Sequence, residues 1–291
     1  MLSDYYNTAK KYDPKAFPEY DYILILNYSF AANLIKLIEP LDIGEGVVLT
    51  SENLYDVIKF ESDSETAGSS RKDIIKDIAN AAKEKLLNLP VEKAPEAINT
   101  IIRAFQAKDL ALSAPKDDQL QTYLDTYGMS GKIEKEFDGD YFHFNEAQNC
   151  SLKLNRFIRD SIEQNVYINA DGSYDRDLKV TWTQPKVYEA SLEKQYSPYY
   201  NFSYRAWVRV FTPEGSSSFS SDGLAKSGYV GYSPVTYFDT KMQKQISDNI
   251  IQFDHRRFKE EDPIFRKDLN ISYKLPESIN YQNDGEYNLL I

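Results

Sequence analysis

The pattern of apolar and polar positions differs between the two halves of the chain. In the first half, short apolar runs alternate with stretches in which apolar residues recur every three or four positions. Residues 22–26 form one such run and predict a buried strand, and residues 30–38 follow with helical spacing that ends at Pro40. Further helices are predicted over residues 54–58, 74–86, 98–105 and 120–127, and further strands over residues 47–49 and 110–112. This alternation predicts a layered α/β domain.

In the second half the spacing shortens to two. One face of the run 204–211 holds Tyr204, Ala206, Val208 and Val210, and the other holds Arg205, Trp207, Arg209 and Phe211. Asp138-Gly139 and Asp171-Gly172 predict hairpins, and residues 213–215 predict a turn. Strands are also predicted over residues 271–275 and 287–291, whereas residues 237–258 show a helical or loop-like polar pattern. These patterns predict a mainly antiparallel β-sandwich.

Together, the two halves predict an α+β protein with an α/β domain over residues 1–145 and a β-sandwich-like domain over residues 146–291. Its 291 residues, 42% of them hydrophobic, suffice for a core without disulfides, and there is one cysteine. No apolar run has the length of a membrane span. The sequence pI of about 4.9 argues against nucleic acid as a partner.

The net charge of −11 is unevenly distributed. Residues 1–145 hold 16 Lys and Arg against 25 Asp and Glu, which gives −9, and the remainder holds 18 against 20, which gives −2. Tyrosine, with 23 residues in the chain, gathers in the second half. Tyrosine is common in half-buried strands, and this is the interpretation that we favour. It is also common in binding surfaces, which is the alternative.

The residues that could support catalysis are few. The chain has two histidines, His143 and His255, and its single cysteine is Cys150. A thiol nucleophile requires a nearby base, and a zinc site usually requires three or four ligands, so we predict neither. Residues 169–175 resemble part of a calcium loop but lack a carboxylate at both ends of it, which favours a hairpin turn. Weak binding of an ion at this turn is the alternative.

Two basic clusters are candidate binding sites. Arg205 and Arg209 flank Trp207 on one strand face, where cation–π stacking is the favoured interpretation and binding of an anionic or sugar-containing polymer the alternative. Arg71 and Lys72 begin the clearest helix, where free backbone N–H groups favour anions. A solvated helix start is the competing interpretation, because an acidic loop precedes this pair.

Several segments, in this order, resemble an uncharacterised family of bacterial envelope proteins known as domain of unknown function four-thousand-and-twelve. They are residues 31–40, 49–57, the helix from Arg71, 105–110, 119–121 with Gly128 and Gly131, 139–145, 204–216, 273–276 and 287–291. The first half of that family is in turn similar to the LytR-CpsA-Psr phosphotransferases. The likeness rests on the helix led by Thr50, the acidic loop and Arg71.

The resemblance implies further binding residues and also shows departures. It adds Asn145, and it adds Lys153 and Asn155, where the family pattern expects an acid instead of Asn155. The second arginine of the transferase loop is missing, and the early strand that carries arginine and aspartate has no counterpart. Phosphoryl transfer requires groups that neutralise the diphosphate, and this half carries −9. The fold relation, an incomplete LytR-CpsA-Psr-like domain, is therefore better supported than the activity.

We predict a non-catalytic binding or structural module for a cell-surface polymer or envelope protein, with no cofactor. The alternative is a glycopolymer phosphotransferase that acts on a polyprenyl-pyrophosphate-linked donor through Arg71 and Mg²⁺. A third possibility is a structural spacer between neighbouring chains. The resemblance implies an extracellular or cell-surface location, with an N-terminal anchor absent from this chain, so that the chain would be a fragment. A cytoplasmic location is the alternative if Met1 is the native start.

Overall fold

The computed structural model describes residues 10–13, 20–44, 46–63, 73–137, 139–148, 158–185, 204–222, 233–253, 264–279 and 287–291. Of these residues, 29% are helical and 39% lie in strands, which confirms the predicted mixed α+β class. The chain divides into two compact units, unit 1 over Met1–Lys132 and unit 2 over Ile133–Ile291. The division predicted after Asn145 falls within a strand of unit 2, His143–Gln148.

Besides the helical residues 10–12 and a single 3-10 turn, Val91–Lys93, the described part of unit 1 contains five α-helices and four short strands. The helices are α1 (Tyr28–Ile38), α2 (Leu54–Asp63), α3 (Asp73–Leu87), α4 (Ala94–Gln106) and α5 (Asp118–Thr126). The strands are β1 (Ile23–Leu26), β2 (Leu41–Asp42), β3 (Val48–Leu49) and β4 (Leu110–Ser113). All five helices confirm predicted ones. No helix among the described residues is both long enough and apolar enough to cross a bilayer.

Side-chain caps explain where two of these helices begin. The Asn27 side chain accepts a hydrogen bond from the Phe30 N–H at 3.0 Å and caps α1, and Asp117 caps α5 through the Leu120 N–H at 3.0 Å. The strands form two antiparallel pairs, β1 with β4 and β2 with β3. The predicted LytR-CpsA-Psr-like layering stays a prediction.

Unit 2 contains ten strands among its described residues. They are β5 (Asp140–Tyr141), β6 (His143–Gln148), β7 (Arg159–Ile168), β8 (Tyr174–Pro185), β9 (Tyr204–Thr212), β10 (Ser217–Ser221), β11 (Val235–Asp239), β12 (Lys244–Phe253), β13 (Ile264–Lys274) and β14 (Leu289–Leu290). Sheet I has the order β11-β12-β9-β6, and sheet II has the order β10-β13-β8-β7. Strands β5 and β14 form a separate parallel pair.

Every pairing within the two four-stranded sheets is antiparallel, and the sheets share one hydrophobic core. Sheet I contributes Ala206 and Val208 to this core, and sheet II contributes Val180, Trp182 and Leu269. Residues that alternate along a strand point to opposite faces, so each sheet has an inner face in the core and an outer face. The arrangement is that of a sandwich.

Strand β9 confirms the predicted alternation, since Tyr204, Ala206 and Val208 are buried and Trp207 is exposed. Asp171-Gly172 forms the predicted hairpin turn between β7 and β8, and Gly172 has a φ of 83°. The turn predicted at residues 213–215 is confirmed by a hydrogen bond from the Ser216 N–H to the Pro213 carbonyl.

Two expectations for unit 2 were wrong. Residues 237–258 were expected to be helical or loop-like, but their described part belongs mainly to β11 and β12. The inner face of β12 carries buried Ser247 and Asn249, which conceal the apolar alternation; Asn249 donates to the Ser247 hydroxyl at 3.1 Å. A hairpin was expected at Asp138-Gly139. Asp138 lies outside the described residues, and Gly139 leads into β5, which pairs in parallel with β14 instead of a preceding strand.

Candidate functional site

Four predicted binding residues lie on one surface, the outer face of sheet I: Asn145, Arg205, Trp207 and Arg209. Arg71, Lys72, Lys153 and Asn155 lie outside the described residues, as do Cys150 and His255. We call the face the platform. It consists of Asn145, Arg205, Trp207, Arg209, Val235, Tyr237, Asp248 and Gln252.

Strand register produces the platform. Antiparallel partners point to the same face of a sheet, so each row of partners brings together side chains from distant parts of the chain. The central row crosses all four strands, with Val235 beside Asp248, Asp248 beside Arg209, and Arg209 beside Asn145. Trp207 lies in the next row on β9, two residues from Arg209.

Aromatic and aliphatic side chains give the platform an apolar surface. Trp207 and Tyr237 are each 38% exposed, and Val235 is 50% exposed. The Cζ atom of Arg209 lies 6.0 Å from the centroid of the Trp207 ring, which confirms the predicted cation–π contact at one of the two arginines. The stacked guanidinium restrains the orientation of the indole ring and leaves part of it in solvent.

Polar groups surround these rings. The Arg209 Nε lies 3.6 Å from an Asp248 carboxylate oxygen, and the Arg209 side chain is 37% exposed. The Arg205 Nε donates to the Gln252 side-chain carbonyl at 3.3 Å. Burial raises the pKa of Tyr237, an effect that the charge of Arg209 opposes and that the charges of Asp248 and Asp239 strengthen. The Tyr237 hydroxyl therefore lies in the field of the central ion pair.

A partly buried carboxylate, Glu146, lies on the inner face of sheet I behind the platform. The indole N–H of fully buried Trp182, on sheet II, donates to Glu146 of sheet I at 2.7 Å. Burial raises the pKa of Glu146, the hydrogen bond from Trp182 opposes this, and the charge of Asp160 adds to it. This bond joins the inner faces of the two sheets.

A second buried polar group lies at the other end of β8. Arg176 and Asp140 are 1% and 0% exposed and form an ion pair; Arg176 also donates to Gln164. The Tyr287 hydroxyl donates to Asp140. Burial raises the pKa of Asp140, and the charge of Arg176 and the hydrogen bond from Tyr287 oppose this rise. Burial also raises the pKa of Tyr273, which lies against Arg176.

Sequence reasoning missed Arg176, although a signal was present. The alternation of Tyr174, Leu178, Val180 and Trp182 places position 176 on the inner face of β8. A charged residue on the apolar face of a strand predicts a buried partner of opposite charge. The guanidinium is also enclosed by aromatic rings, with its Cζ 5.9 Å from the centroid of Phe142.

Two further side chains that could have had a chemical role, His143 and Asp171, have structural contacts. Burial lowers the pKa of His143, whose ring centroid lies 5.3 Å from that of Phe211. In the turn at 169–175, Asp171 accepts from the Ser173 N–H and hydroxyl. Over the described part of the chain, no group of three or more His, Cys, Asp or Glu residues is arranged to hold a metal ion.

No protein-family model, no curated protein and no solved structure matches this chain. The resemblance to the envelope family and to the LytR-CpsA-Psr phosphotransferases therefore stays a prediction.

Proposed function

We propose that unit 2 is a non-catalytic binding module whose platform holds the sugar rings of a cell-surface polymer. The observation that carries this proposal is the exposed Trp207 ring, fixed beside Arg209 on a central strand of sheet I. A sugar ring has an apolar face of C–H groups and a rim of hydroxyls. An aromatic ring covers such a face, and neighbouring charged and amide side chains bond the hydroxyls.

The platform has both kinds of group on one rigid surface. Trp207 and Tyr237 supply rings, and Arg209, Asp248 and Asn145 lie across the central row as donors and acceptors. Hydrogen bonds to charged groups are stronger than neutral ones, so this row favours a hydroxyl-rich ligand over an apolar one. Side chains on paired strands are held more rigidly than side chains on loops, which reduces the entropy lost on binding.

The charge of the platform also bears on the ligand. Arg205 and Arg209 outweigh Asp248 by one positive charge, in a chain whose net charge is −11. A neutral or weakly anionic glycopolymer is therefore compatible with this surface. The envelope location is the prediction that places such a polymer within reach. The alternative activity, phosphotransfer through Arg71 and Mg²⁺, depends on a residue outside the described part of the chain, and no observation favours it.

Binding of labelled chitohexaose, dextran and wall teichoic acid to the full chain tests this proposal. We expect at least one of them to bind, and Trp207→Ala to weaken that binding about tenfold, which corresponds to about 1.4 kcal/mol. Tyr123→Ala is the matched control, because Tyr123 is an exposed aromatic residue of unit 1. The proposal fails if no polymer binds or if both variants have the same effect.

A further inference from the structure

The outer face of sheet II carries a groove with a volume of about 560 Å³. The groove lies where the turn between β7 and β8 comes close to β13 and β10. The residues that line it include Tyr167, Asp175, Asp177, Ser218, Ser272 and Lys274. The volume falls within the range of about 300–1,000 Å³ that is usual for small-ligand sites.

Two rows of strand partners build this groove. In the first row, Tyr167 pairs with Asp175 and Asp175 with Lys274; in the second, Asp177 pairs with Ser272. Partners in a row lie about 5 Å apart at their Cβ atoms, so an aromatic ring, two carboxylates and an ammonium are brought close together. Tyr167 is 49% exposed, which leaves its ring available to a ligand.

The same face differs sharply along its length in how its charges are satisfied. Further along, Asp268 accepts from Arg266 at 2.9 Å and from Thr181 at 2.8 Å, and Lys179 lies 3.9 Å away. In the groove, Asp175 accepts from the Asn169 side chain at 2.8 Å. Asp177 and Lys274 make no ion pair at salt-bridge distance within the part of the chain that the structure describes; the pKa of Asp171 is lowered by hydrogen bonds from Ser173 and, more weakly, by the charge of Lys274. The groove therefore contains charged groups that are free to bond a ligand.

The backbone geometry at the rim of the groove also indicates a binding site. Ser218 has a φ of 55°, a left-handed conformation that is uncommon for residues other than glycine. The register of β10 against β13 shifts between Ser217 and Ser220, which marks a bulge at this position. Bulges redirect side chains at functional sites, and Ser218 lines the groove.

We propose that this groove is a second binding site, for a short neutral saccharide. The Tyr167 ring covers one face of a sugar, the carboxylates of Asp175 and Asp177 accept hydrogen bonds from its hydroxyls, and the Lys274 ammonium donates to its ring or hydroxyl oxygens. The two carboxylates disfavour an anion. The groove lies on the other outer face of the sandwich from the platform, so it does not depend on the function proposed above.

Calorimetric titration of the full chain with maltotriose, cellotriose and chitotriose tests this inference. We expect one-to-one binding of at least one trisaccharide, and Asp177→Ala to weaken it at least fivefold. Glu163→Ala is the matched control, because Glu163 is an exposed carboxylate in the next row of the same face, outside the groove. We expect this control to bind like the unchanged protein.

Trp207→Ala separates the two sites, because it removes the platform ring and leaves the groove intact. Trisaccharide binding that survives Trp207→Ala and is lost with Asp177→Ala supports the groove. The inference is overturned if no trisaccharide binds, if Asp177→Ala binds like the control, or if Trp207→Ala abolishes binding. The last result would place the sugar on the platform and would support the platform alone.

Discussion

Unit 2 contains two carboxylates in very different surroundings, Asp140 at one end of the core and Glu146 at the other. Each is bonded by a residue of β8, Asp140 by Arg176 and Glu146 by Trp182. These two partners are six positions apart, or about 20 Å along the strand. Asp140 has a full positive charge against it, and Glu146 has only a neutral N–H.

The comparison shows that a carboxyl removed from water can either stabilise or destabilise the fold, depending on the group that faces it. Burial raises the pKa of both carboxyls, because it disfavours the charged form. At Asp140 the cation opposes this effect, and removing the carboxylate would leave Arg176 as an uncompensated buried charge. At Glu146 the nearby charge of Asp160 strengthens the effect. Changing the acid to its amide should therefore destabilise the protein at Asp140 and stabilise it at Glu146.

The largest expected effect is that of Asp140→Asn. The amide keeps the size of the side chain but removes the charge opposite Arg176, and breaking a buried pair in this way costs about 3–5 kcal/mol. The free energy of unfolding, measured by urea denaturation of unit 2 in the full chain at pH 7, should fall by that amount. Glu163→Gln, on an exposed face, is the control and should change it by less than about 0.5 kcal/mol.

The double variant Asp140→Asn/Arg176→Met tests whether the loss of stability in Asp140→Asn comes from the unpaired charge of Arg176. It removes the uncompensated cation, so it should be more stable than Asp140→Asn alone. A double variant that is less stable than either single variant would show that Arg176 is held mainly by Gln164 and the aromatic rings, and not by Asp140.

A smaller effect is expected from Tyr287→Phe. This change removes the hydroxyl that donates to Asp140 and keeps the ring, whose centroid lies 5.3 Å from that of Tyr174. A hydrogen bond to a charged group contributes about 1.5–3 kcal/mol, so the free energy of unfolding should fall within that range. Tyr127→Phe, at the exposed position that directly follows α5, is the control. Equal stability of the two variants would mean that the bond to Asp140 contributes nothing.

The smallest effect, opposite in sign, is expected from Glu146→Gln. The amide oxygen still accepts from Trp182, and no charge is buried, so the variant should be more stable at pH 7 by less than about 1.5 kcal/mol. Because the pKa of Glu146 is raised by folding, the native carboxyl destabilises the fold only as pH rises above the ordinary glutamate pKa of about 4.3.

Thermal unfolding between pH 3.5 and pH 8 measures this dependence. The gain from Glu146→Gln should be absent at the acidic end, where the carboxyl is protonated in both states, and should appear as pH rises. If the gain in stability is instead constant with pH, the effect comes from packing and not from the charge. A loss at pH 7 would show that the ionised carboxylate is favoured where it lies.

Local patterns were sufficient for much of the fold. The five helices of unit 1 follow from apolar spacing, with side-chain caps at Asn27 and Asp117. Strand β9 was predictable because its inner residues from Tyr204 to Val210 are all aromatic or aliphatic. Strand β12 was not, because Ser247 and Asn249 occupy inner positions and are satisfied by hydrogen bonds that only the tertiary structure reveals.

The candidate sites also divide into a part that the sequence predicts and a part that only the tertiary structure reveals. Arg205, Trp207 and Arg209 belong to one strand, so their shared face could be predicted. Tyr237 and Asp248 join them only through register, and register is not visible in a single strand. The groove depends on partners from four strands and on a bulge in β10, so none of its geometry could be predicted from the sequence.

The parallel pairing of β5 with β14 also sets the timing of folding during synthesis. Asp140 and Tyr287 are 147 positions apart in the chain. A ribosome that adds about 5–20 residues per second needs about 7–30 seconds to make that stretch. For all of that time, Asp140 lacks the strand and the hydroxyl that complete its surroundings, even after Arg176 has been made. The last step in assembling this edge therefore waits on translation, however fast the earlier strands pair.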